Sequence, residues 1–418
     1  MAEQSPRCRA AVTMLLIGEP VYDPRVTKTA RSLVEAGHEV TIVCIPLGNA
    51  AGSSQVGGAA VIRCSAVRPL RALRRVLGRR TPRDAPPSPV APSAAAPPAA
   101  QVTKLVRETR MLAGTFWLNL ALIRGALTIR ADVIHANDLD TLWAGAWLAR
   151  KQGARLIYDS HELFPDMLPE TSPLLRGVLR RVEHRLIGRA DVVITVNEAL
   201  AIELQHRHRL AVKPTVVMNC PPLQPLPPRN GEPDERIGMI YLGALHPERG
   251  LELLLEAMPR IDARVVLHVR GSGPLRSLIE ARAKDPALVG RIIIHEPVPP
   301  DKVGEALVGM TLGIIPYVAT SLNNYLSSPT KLFDYFMAGL AVVASDLPEI
   351  RRAVTRYGAG ELHAAGDPEA PARAINRLVA DPERLQHCRA GAREAAVREF
   401  HWEGQERALL AAYGEPDS

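Results

Sequence analysis

Segments with the length and apolar character of β-strands alternate with helical segments along most of the chain. Val12 to Gly18 is the first such strand, Thr27 to Ala36 is a helix, and His38 to Cys44 is the next strand. This order predicts parallel neighbours in one sheet with the helix packed on its face. Because ligands of such sheets bind beyond the carboxyl ends of the strands, Gly18 is expected near a cleft. The strand is not followed by a G-x-G-x-x-G pattern, so a nicotinamide dinucleotide is not indicated.

A proline-rich segment, Cys220 to Pro228, interrupts this alternation, and a second series of strands and helices begins at Ile237. A chain of 418 residues is also too long for one ordinary core. We therefore predict an α/β protein with two Rossmann-like, doubly wound parallel-sheet domains that face a central cleft. The expected bounds are 1–220 for the N-terminal domain, 221–235 for a semi-rigid hinge and 236–400 for the C-terminal domain.

Composition narrows the class of protein. Hydrophobic residues make up 47% of the chain and charged residues 23%, as in soluble globular proteins. The five cysteines are scattered without C-x-x-C spacing, which favours reduced thiols in a cytoplasmic protein over a zinc site. No segment reaches the roughly 20 apolar residues of a membrane span, and the N-terminus lacks the apolar core of a signal peptide. The net charge of +7 is weak support for anionic partners, and no nucleic-acid partner is expected.

Two neighbouring segments of the N-terminal half stand out by composition. Arg68 to Arg83 combines apolar residues at helical spacing with seven arginines. It is either a basic helix that rests on the inner face of a membrane or a helix packed on the sheet with a solvated basic side. Residues 84–101, rich in Pro, Ala and Ser, are predicted to be a disordered loop within the first domain.

The segment from Ser327 to Gly339 predicts an anion site. Ser327 or Ser328 can cap a helix, Pro329 suits its first turn, and Gly339 ends it. Lys331 lies in that first turn, where a cation opposes the helix dipole unless an anion lies between them. Asp334 follows one turn later and can accept hydrogen bonds from a vicinal diol. The alternative is an ordinary capped helix with a surface Lys–Asp pair.

Three loops at predicted strand ends of the second half hold further candidates. Gly243 begins a loop in which Arg249 can supply a second cation. Arg270 and Gly271 begin a glycine-rich turn where the backbone can approach a ligand closely. Val298 lies after a third strand, whose end can offer backbone groups to a base.

The first half offers two polar candidates. Asp138 and Asp140 have the spacing of a metal-binding carboxylate pair, but they precede a helix and can equally cap it. His161 and Glu162 follow a predicted strand and form an exposed polar pair, although a structural histidine is the alternative.

From Val12 to Tyr413 the chain resembles the retaining family-four (group 1) glycosyltransferases of the GT-B superfamily. The resemblance is carried by eight motifs in order: Asp23 to Val26, Ala30 to His38, His135 to Leu142, Tyr158 to Leu163, Ala190 to Glu198, Tyr241 to Gly250, Gly271 to Pro274, and Tyr317 to Pro348.

The resemblance implies a nucleotide-sugar donor held by the second domain and an acceptor that enters from the first. It implies that Arg249 and Lys331 bind the donor diphosphate, that Asp334 binds the ribose and that His161 lies near the donor sugar. It also implies that residues 401–418 form a closing helix that crosses back to the N-terminal domain. The expected catalytic residues are His161, Arg249 and Lys331; the donor-binding residues are Gly243, Arg249, Arg270, Gly271, Val298, Asn324, Ser327, Ser328, Thr330, Lys331 and Asp334; the acceptor-side residues are Gly18, Arg25, Asp138 and Glu162.

Two positions depart from the family pattern. The first acid of the usual E-x7-E motif falls near Leu326, so Asn323 or Asn324 is expected to replace it. Ala244 stands where many members carry a second arginine.

The resulting hypothesis is a hexosyl-type glycosyltransferase that takes a sugar from a nucleoside diphosphate sugar, with UDP preferred to GDP as the nucleotide. It transfers the sugar to a hydroxyl of a glycan, lipid-linked or small-molecule acceptor with retention of the anomeric configuration. No metal or other cofactor is expected to be required. Two alternatives remain: a sugar-nucleotide epimerase on the same fold, and a non-catalytic sugar-nucleotide-binding partner subunit.

Overall fold

A computed structural model describes residues 9–46, 54–65, 98–167, 171–226 and 236–414. Strands and helices alternate through these residues, and short 3-10 turns precede several helices. The strands are β1 Ala11–Ile17, β2 Glu39–Ile45, β3 Gln55–Val56, β4 Ala59–Arg63, β5 Val133–Asn137, β6 Arg155–Ser160, β7 Val192–Thr195, β8 Thr215–Val216, β9 Ile237–Leu242, β10 Val265–Arg270, β11 Ile292–His295, β12 Leu312–Ile315, β13 Ala341–Ser345 and β14 Gly360–His363.

The helices are α1 Pro24–Glu35, α2 Pro98–Ala126, α3 Leu139–Gln152, α4 Pro173–Ile187, α5 Glu198–His208, α6 Leu251–Ala257, α7 Arg276–Ala283, α8 Val303–Ala306, α9 Leu322–Leu326, α10 Thr330–Met337, α11 Pro348–Arg356, α12 Ala370–Val379, α13 Pro382–Arg398 and α14 Trp402–Tyr413. Within the described ranges, no helix combines the length and apolar character needed to cross a membrane.

The strands form two sheets. The first has the order β3-β4-β2-β1-β5-β6-β7-β8, and the second has the order β11-β10-β9-β12-β13-β14. In the first sheet, the strand pairs β1–β2, β1–β5, β2–β4, β5–β6 and β7–β8 are parallel, and the short β3–β4 pair is antiparallel. In the second sheet Leu312 lies opposite Met239 of β9 and Ala341 of β13. The prediction of two doubly wound parallel-sheet α/β domains is confirmed, since β1 and β9 each have parallel neighbours on both sides and helices connect the strands.

The chain divides into two compact units. The first comprises residues 1–160 and 172–193, and the second comprises residues 161–171 and 194–418. The closing helix α14 lies in the second unit, where its Gln405 side chain accepts a hydrogen bond from the backbone N–H of Met218. The predicted domain bounds at residues 220, 236 and 400, and the crossing of the last helix, stay predictions.

Three predicted segments fall partly or wholly outside the described residues. These are Arg68 to Arg83, residues 84–97 and residues 227–235 of the hinge. Residues 98–101, by contrast, form the first turn of α2, so the prediction that the disordered loop continues to residue 101 was wrong. Residues 98–101 are Pro-Ala-Ala-Gln. Alanine has the highest helix propensity and proline is well tolerated in a first turn, so these residues can begin a helix although the preceding segment is rich in Pro and Ser.

Helix α10 is held on the second sheet by its apolar face. Leu332, Phe333 and Phe336 are buried in one core cluster with residues of β9, β12 and β13. Phe333 also stacks on Phe400, with ring centroids 5.2 Å apart. Burying each such side chain stabilises the fold by about 1.5–3 kcal/mol relative to exposure. The apolar face therefore fixes the direction in which the polar residues of α10 project.

Candidate functional site

The carboxyl ends of β9 and β10 meet at one edge of the second sheet. The N–H of Gly243 donates to the carbonyl of Arg270 at 2.9 Å. A side chain at Gly271 would place its Cβ 1.9 Å from the Gly243 carbonyl oxygen, and Gly243 itself has φ +117°. Only glycine satisfies both conditions, because an L-residue is strained at that φ and a Cβ has no room at Gly271. These two glycines bring the loops after β9 and β10 together, and the predicted close approach of this backbone to a ligand stays a prediction.

Helix α10 starts one residue later than the sequence suggested. Pro329 is the N-cap, and it provides no side-chain hydrogen bond to the helix. The Ser327 hydroxyl donates to the Asn324 carbonyl, and the Ser328 hydroxyl accepts from the side-chain amide of Asn197. The prediction that Ser327 or Ser328 caps the helix was therefore wrong. Gly339 does follow the end of the helix with φ +64°, as expected.

Lys331, in the first turn of α10, is a buried cation. Its side chain is 6% exposed, and its Nζ lies 3.8 Å from the centroid of the Tyr241 ring and 5.2 Å from that of Tyr317. Within the described part of the chain, its ammonium group has no hydrogen bond and no ion pair. Burial, assisted by the positive charge of Arg249, holds the pKa of Lys331 well below its ordinary value, and Asp334 opposes this shift.

Arg249 also lies against the ring of Tyr317. Its Cζ is 4.6 Å from the centroid of the Tyr317 ring. Gly250 follows with φ +69°, and a Cβ there would lie 1.8 Å from the Pro316 carbonyl oxygen. This close approach fixes the loop of Arg249 against the end of β12. The structure thus brings Arg249 and Lys331 together against one tyrosine ring.

The two tyrosines were not among the predicted site residues. Burial raises the pKa of Tyr317, Arg249 lowers it, and Glu162 raises it again. The Tyr241 hydroxyl donates to the Ala244 carbonyl at 2.7 Å, which orients its ring under Lys331. The available signal was their position: Tyr241 is in β9, and Tyr317 follows β12 by two residues, at the edge where the lysine was expected.

The two asparagines of α9 make different contacts. Asn323 accepts a hydrogen bond from the N–H of Leu163 at 2.9 Å and lies 3.4 Å from a carboxylate oxygen of Glu162. Asn324 donates to the Thr320 hydroxyl at 2.9 Å. Both asparagines are buried, and His161 is half-buried. Asn323, rather than Asn324, is therefore the asparagine attached to the segment that carries His161 and Glu162.

The remaining predicted donor residues lie along the same strand ends and on α10. Arg270 donates to the carbonyl of Glu296 at 2.8 Å, immediately after β11, and Val298 is half-buried two residues further on. Thr330 is exposed at the first position of α10. Asp334 is partly buried one turn after Lys331.

The acceptor-side candidates Gly18, Arg25 and Asp138 belong to the first unit. Arg25 is 2% exposed, and its Nε and Nη2 donate to the two carboxylate oxygens of Asp159 at 2.8 and 2.7 Å. The N–H of Gly18 donates to the Ile45 carbonyl just after β1. The partner of Arg25 was missed, because Asp159 is distant in sequence and only strand order brings it close.

Asp138 precedes α3 with φ +61°, which is unusual for a residue other than glycine. Its side chain makes no cap hydrogen bond to the helix. Among the described residues, no group of three or more His, Cys, Asp or Glu side chains is arranged to hold a metal ion. The hypothesis of a carboxylate pair at Asp138 and Asp140 therefore finds no third ligand in this part of the chain, and the expectation that no metal is needed stays a prediction.

Two family profiles match the chain. The family described as Glycosyl transferases group 1 matches residues 236–381, and the Glycosyl transferase 4-like domain matches residues 22–220.

Among curated proteins, the phosphatidyl-myo-inositol mannosyltransferase of Mycobacterium leprae is 26% identical over 291 residues, which are 68% of this chain and 73% of that protein. Among solved structures, sucrose-phosphate synthase from Thermosynechococcus elongatus has a TM-score of 0.72 at 18% identity and covers 97% of this chain and 98% of its own. Anabaena HepE in complex with UDP-glucose has a TM-score of 0.68 at 13% identity and covers 96% of this chain and 99% of its own.

The two matched ranges together extend from residue 22 to residue 381, apart from residues 221–235. They include Arg249 and Lys331 in the first of these profiles and Arg25 in the second. The chain belongs to the group 1 (GT4) glycosyltransferase family and is a retaining, nucleotide-sugar-dependent glycosyltransferase with the GT-B fold.

Proposed function

We propose that the protein transfers a hexosyl group from a nucleoside diphosphate sugar, preferentially a UDP-sugar, to an acceptor hydroxyl. Lys331 and Arg249 bind the diphosphate, Asp334 binds the ribose, and backbone groups at Val298 meet the base. His161 lies beside the donor sugar. HepE, a structural relative, was solved with UDP-glucose, which supports the choice of UDP as the first donor nucleotide to test.

One observation carries the proposal. Lys331 is buried without a hydrogen bond or an ion pair among the described residues, and a second cation, Arg249, lies against the same tyrosine ring. A buried, uncompensated charge is costly for a fold, because it gives up hydration without a partner. A diphosphate would supply the missing negative charge to both cations and would also meet the free N–H groups at the start of α10.

The chemistry follows from where charge develops. As the bond between the sugar and the diphosphate breaks, negative charge grows on the leaving phosphate, next to Lys331 and Arg249. Preorganised cations at that position stabilise the transition state more than the ground state. Removal of one of them is expected to lower kcat by about 10² to 10³, by analogy with the loss of an oxyanion donor. The leaving phosphate can accept the proton of the incoming hydroxyl, so a carboxylate nucleophile is not needed.

The acceptor belongs to the class of glycans, glycolipids or small natural products. The curated relative from Mycobacterium leprae is named for phosphatidyl-myo-inositol, so cyclic polyols and their lipid-linked forms are the first acceptors to test.

The test is a panel of UDP- and GDP-sugars incubated with the purified protein and candidate acceptors, with release of nucleoside diphosphate as the readout. We expect acceptor-dependent release with a UDP-sugar and loss of that release in Lys331→Ala. The matched control is Lys302→Ala, which removes an exposed lysine from the same unit. An isomerised or free sugar formed without acceptor would instead show an epimerase or a hydrolase, and binding without turnover would show a non-catalytic subunit.

A further inference from the structure

Asn197 lies at the start of α5, and its side chain is fully buried. Its Oδ1 accepts a hydrogen bond from the N–H of Leu200 at 2.8 Å, as the N-cap of an α-helix does. Its Nδ2 donates to the Leu326 carbonyl at 2.9 Å and to the Ser328 hydroxyl at 3.1 Å. The Asn197 amide therefore joins the first turn of α5 to the last residue of α9 and to the loop that leads into α10.

Capping alone does not explain an asparagine at this position. Serine, threonine or aspartate would accept the hydrogen bond from Leu200 equally well. Only the amide adds two N–H donors, and both of them are used on the segment that leads to Lys331. The choice of asparagine is thus explained by the contacts to Leu326 and Ser328 rather than by the helix.

The start of α5 is also tied to a second helix. Glu349, at the start of α11, is 5% exposed and accepts a hydrogen bond from the N–H of Ala199 at 3.0 Å. Its other carboxylate oxygen accepts from Arg352 at 3.2 Å. Because Asn197 is held on a backbone anchored in this way, it is a rigid support for the segment it binds.

Ser328 is the residue through which this support reaches the site. Its oxygen accepts the Asn197 N–H, and no other hydrogen bond of its hydroxyl occurs within the described residues. A hydroxyl whose oxygen accepts one hydrogen bond can still donate its own hydrogen. Ser328 lies two residues before Thr330, the first residue of α10, so its hydroxyl is beside the N-terminal end of the helix, where the diphosphate is proposed to bind.

We propose that Asn197 is a positioning residue of the donor site. It holds Ser328 and the start of α10 so that the Ser328 hydroxyl, the helix N–H groups and Lys331 can bind the same diphosphate. This inference rests on the proposed function. It assigns to the start of α5 a role in donor affinity that acts through Ser328 and leaves the base and the acceptor untouched.

The decisive variant is Asn197→Ser, which keeps a neutral N-cap and removes both amide donors. Titration calorimetry of the full chain with UDP, GDP and uridine measures its effect. We expect roughly tenfold weaker binding of UDP and GDP, which corresponds to the loss of about one to two net hydrogen bonds. The binding of uridine should be unchanged. In turnover assays the KM for the donor should rise while the KM for the acceptor stays constant.

Asp381→Ala is the matched control. It removes the N-cap of α13, which accepts from the N–H of Arg384, in the same unit but away from Ser328. We expect a lower melting temperature and unchanged UDP affinity. In a Ser328→Ala background, Asn197→Ser should cost less than in the wild-type background, because one of its two targets is already gone.

The outcomes separate the two proposals. If the wild type binds no nucleoside diphosphate, the proposed function fails and this inference fails with it. If the wild type binds UDP and Asn197→Ser binds it equally well, or loses UDP and uridine in equal measure, this inference alone is overturned. Loss of UDP affinity in Asp381→Ala would show a general effect of destabilisation and would overturn it as well.

Discussion

Lys331 holds its ammonium nitrogen 3.8 Å from the centroid of the Tyr241 ring. A cation over an aromatic face is attracted by the ring quadrupole, by about 2 kcal/mol or more when the pair is desolvated. That attraction does not replace the hydration lost on burial, and the pKa of Lys331 stays well below its ordinary value. The ammonium form of Lys331 is therefore disfavoured in the free protein, at the place where an anionic donor is proposed to bind.

Replacement of Lys331 by methionine is expected to stabilise the free protein and to abolish diphosphate binding. Methionine fills a similar volume without a charge, so the desolvation cost of the buried ammonium group is removed and the free energy of unfolding should rise. Urea denaturation and titration with UDP measure the two effects. Lys302→Met, at an exposed position, should change neither. A destabilised Lys331→Met protein would contradict the interpretation of Lys331 as a strained binding residue.

The same group makes binding depend on pH. A diphosphate next to Lys331 favours the ammonium form, so it raises a pKa that burial has lowered in the free protein. Above the free-protein pKa, binding must therefore take up a proton, and affinity should fall as the pH rises. Calorimetry in two buffers of different ionisation enthalpy detects this uptake. In Lys331→Ala any residual UDP binding should occur without proton uptake. If that variant took up as many protons as the wild type, another group would be the one that titrates.

The same lowered pKa makes the stability of the free protein depend on pH. Between that lowered pKa and the ordinary value of 10.5, the unfolded chain binds a proton at Lys331 that the folded chain does not. The free energy of unfolding should therefore rise with pH between these two pKa values. Below the lowered pKa the folded protein carries the full destabilisation caused by the buried ammonium group. Denaturation at a series of pH values measures the slope, and Lys331→Met should remove this contribution.

Tyr335 links α10 to β9. Its hydroxyl accepts a hydrogen bond from the N–H of Leu242 at 3.1 Å and donates to the Ile240 carbonyl at 3.0 Å, and the side chain is fully buried. Tyr335→Phe leaves both backbone groups without this partner, which should cost about 1–3 kcal/mol of unfolding free energy. Thermal or urea unfolding measures it. Tyr357→Phe, whose hydroxyl donates to Glu399 at a half-buried position, should cost less.

The proximity of the two cations was predicted from the order of the strands, from the helix start at Lys331 and from the resemblance to the group 1 glycosyltransferases. Arg249 and Lys331 both follow strands of one parallel sheet, and the carboxyl ends of parallel strands share an edge. Gly243, Gly271 and Gly339 could also be recognised from the sequence, because glycine is favoured at turns and at close backbone approaches.

The side-chain partners could not be deduced in this way. Whether Tyr317 contacts both cations, or whether Asn323 rather than Asn324 reaches Leu163, depends on rotamers and on the packing of helices against loops. The wrong assignment of the cap to Ser327 or Ser328 has a specific cause. Ser328 is engaged by Asn197, a residue 131 positions away, and local sequence gives no sign of that competition.

The buried pair of Arg25 and Asp159 gives the last prediction. Both side chains are at most 2% exposed, and two hydrogen bonds of 2.8 and 2.7 Å join them. Asp159→Ala leaves the guanidinium buried without this carboxylate, so we expect a loss of about 3–5 kcal/mol of unfolding free energy, measured by urea denaturation. The paired variant Arg25→Met with Asp159→Leu should be less damaging than Asp159→Ala alone, since no charge is then left uncompensated. Asp346→Ala, which breaks an exposed pair with Arg351, should cost at most about 1 kcal/mol. If Asp159→Ala cost no more than that surface control, the pair would not stabilise the first unit.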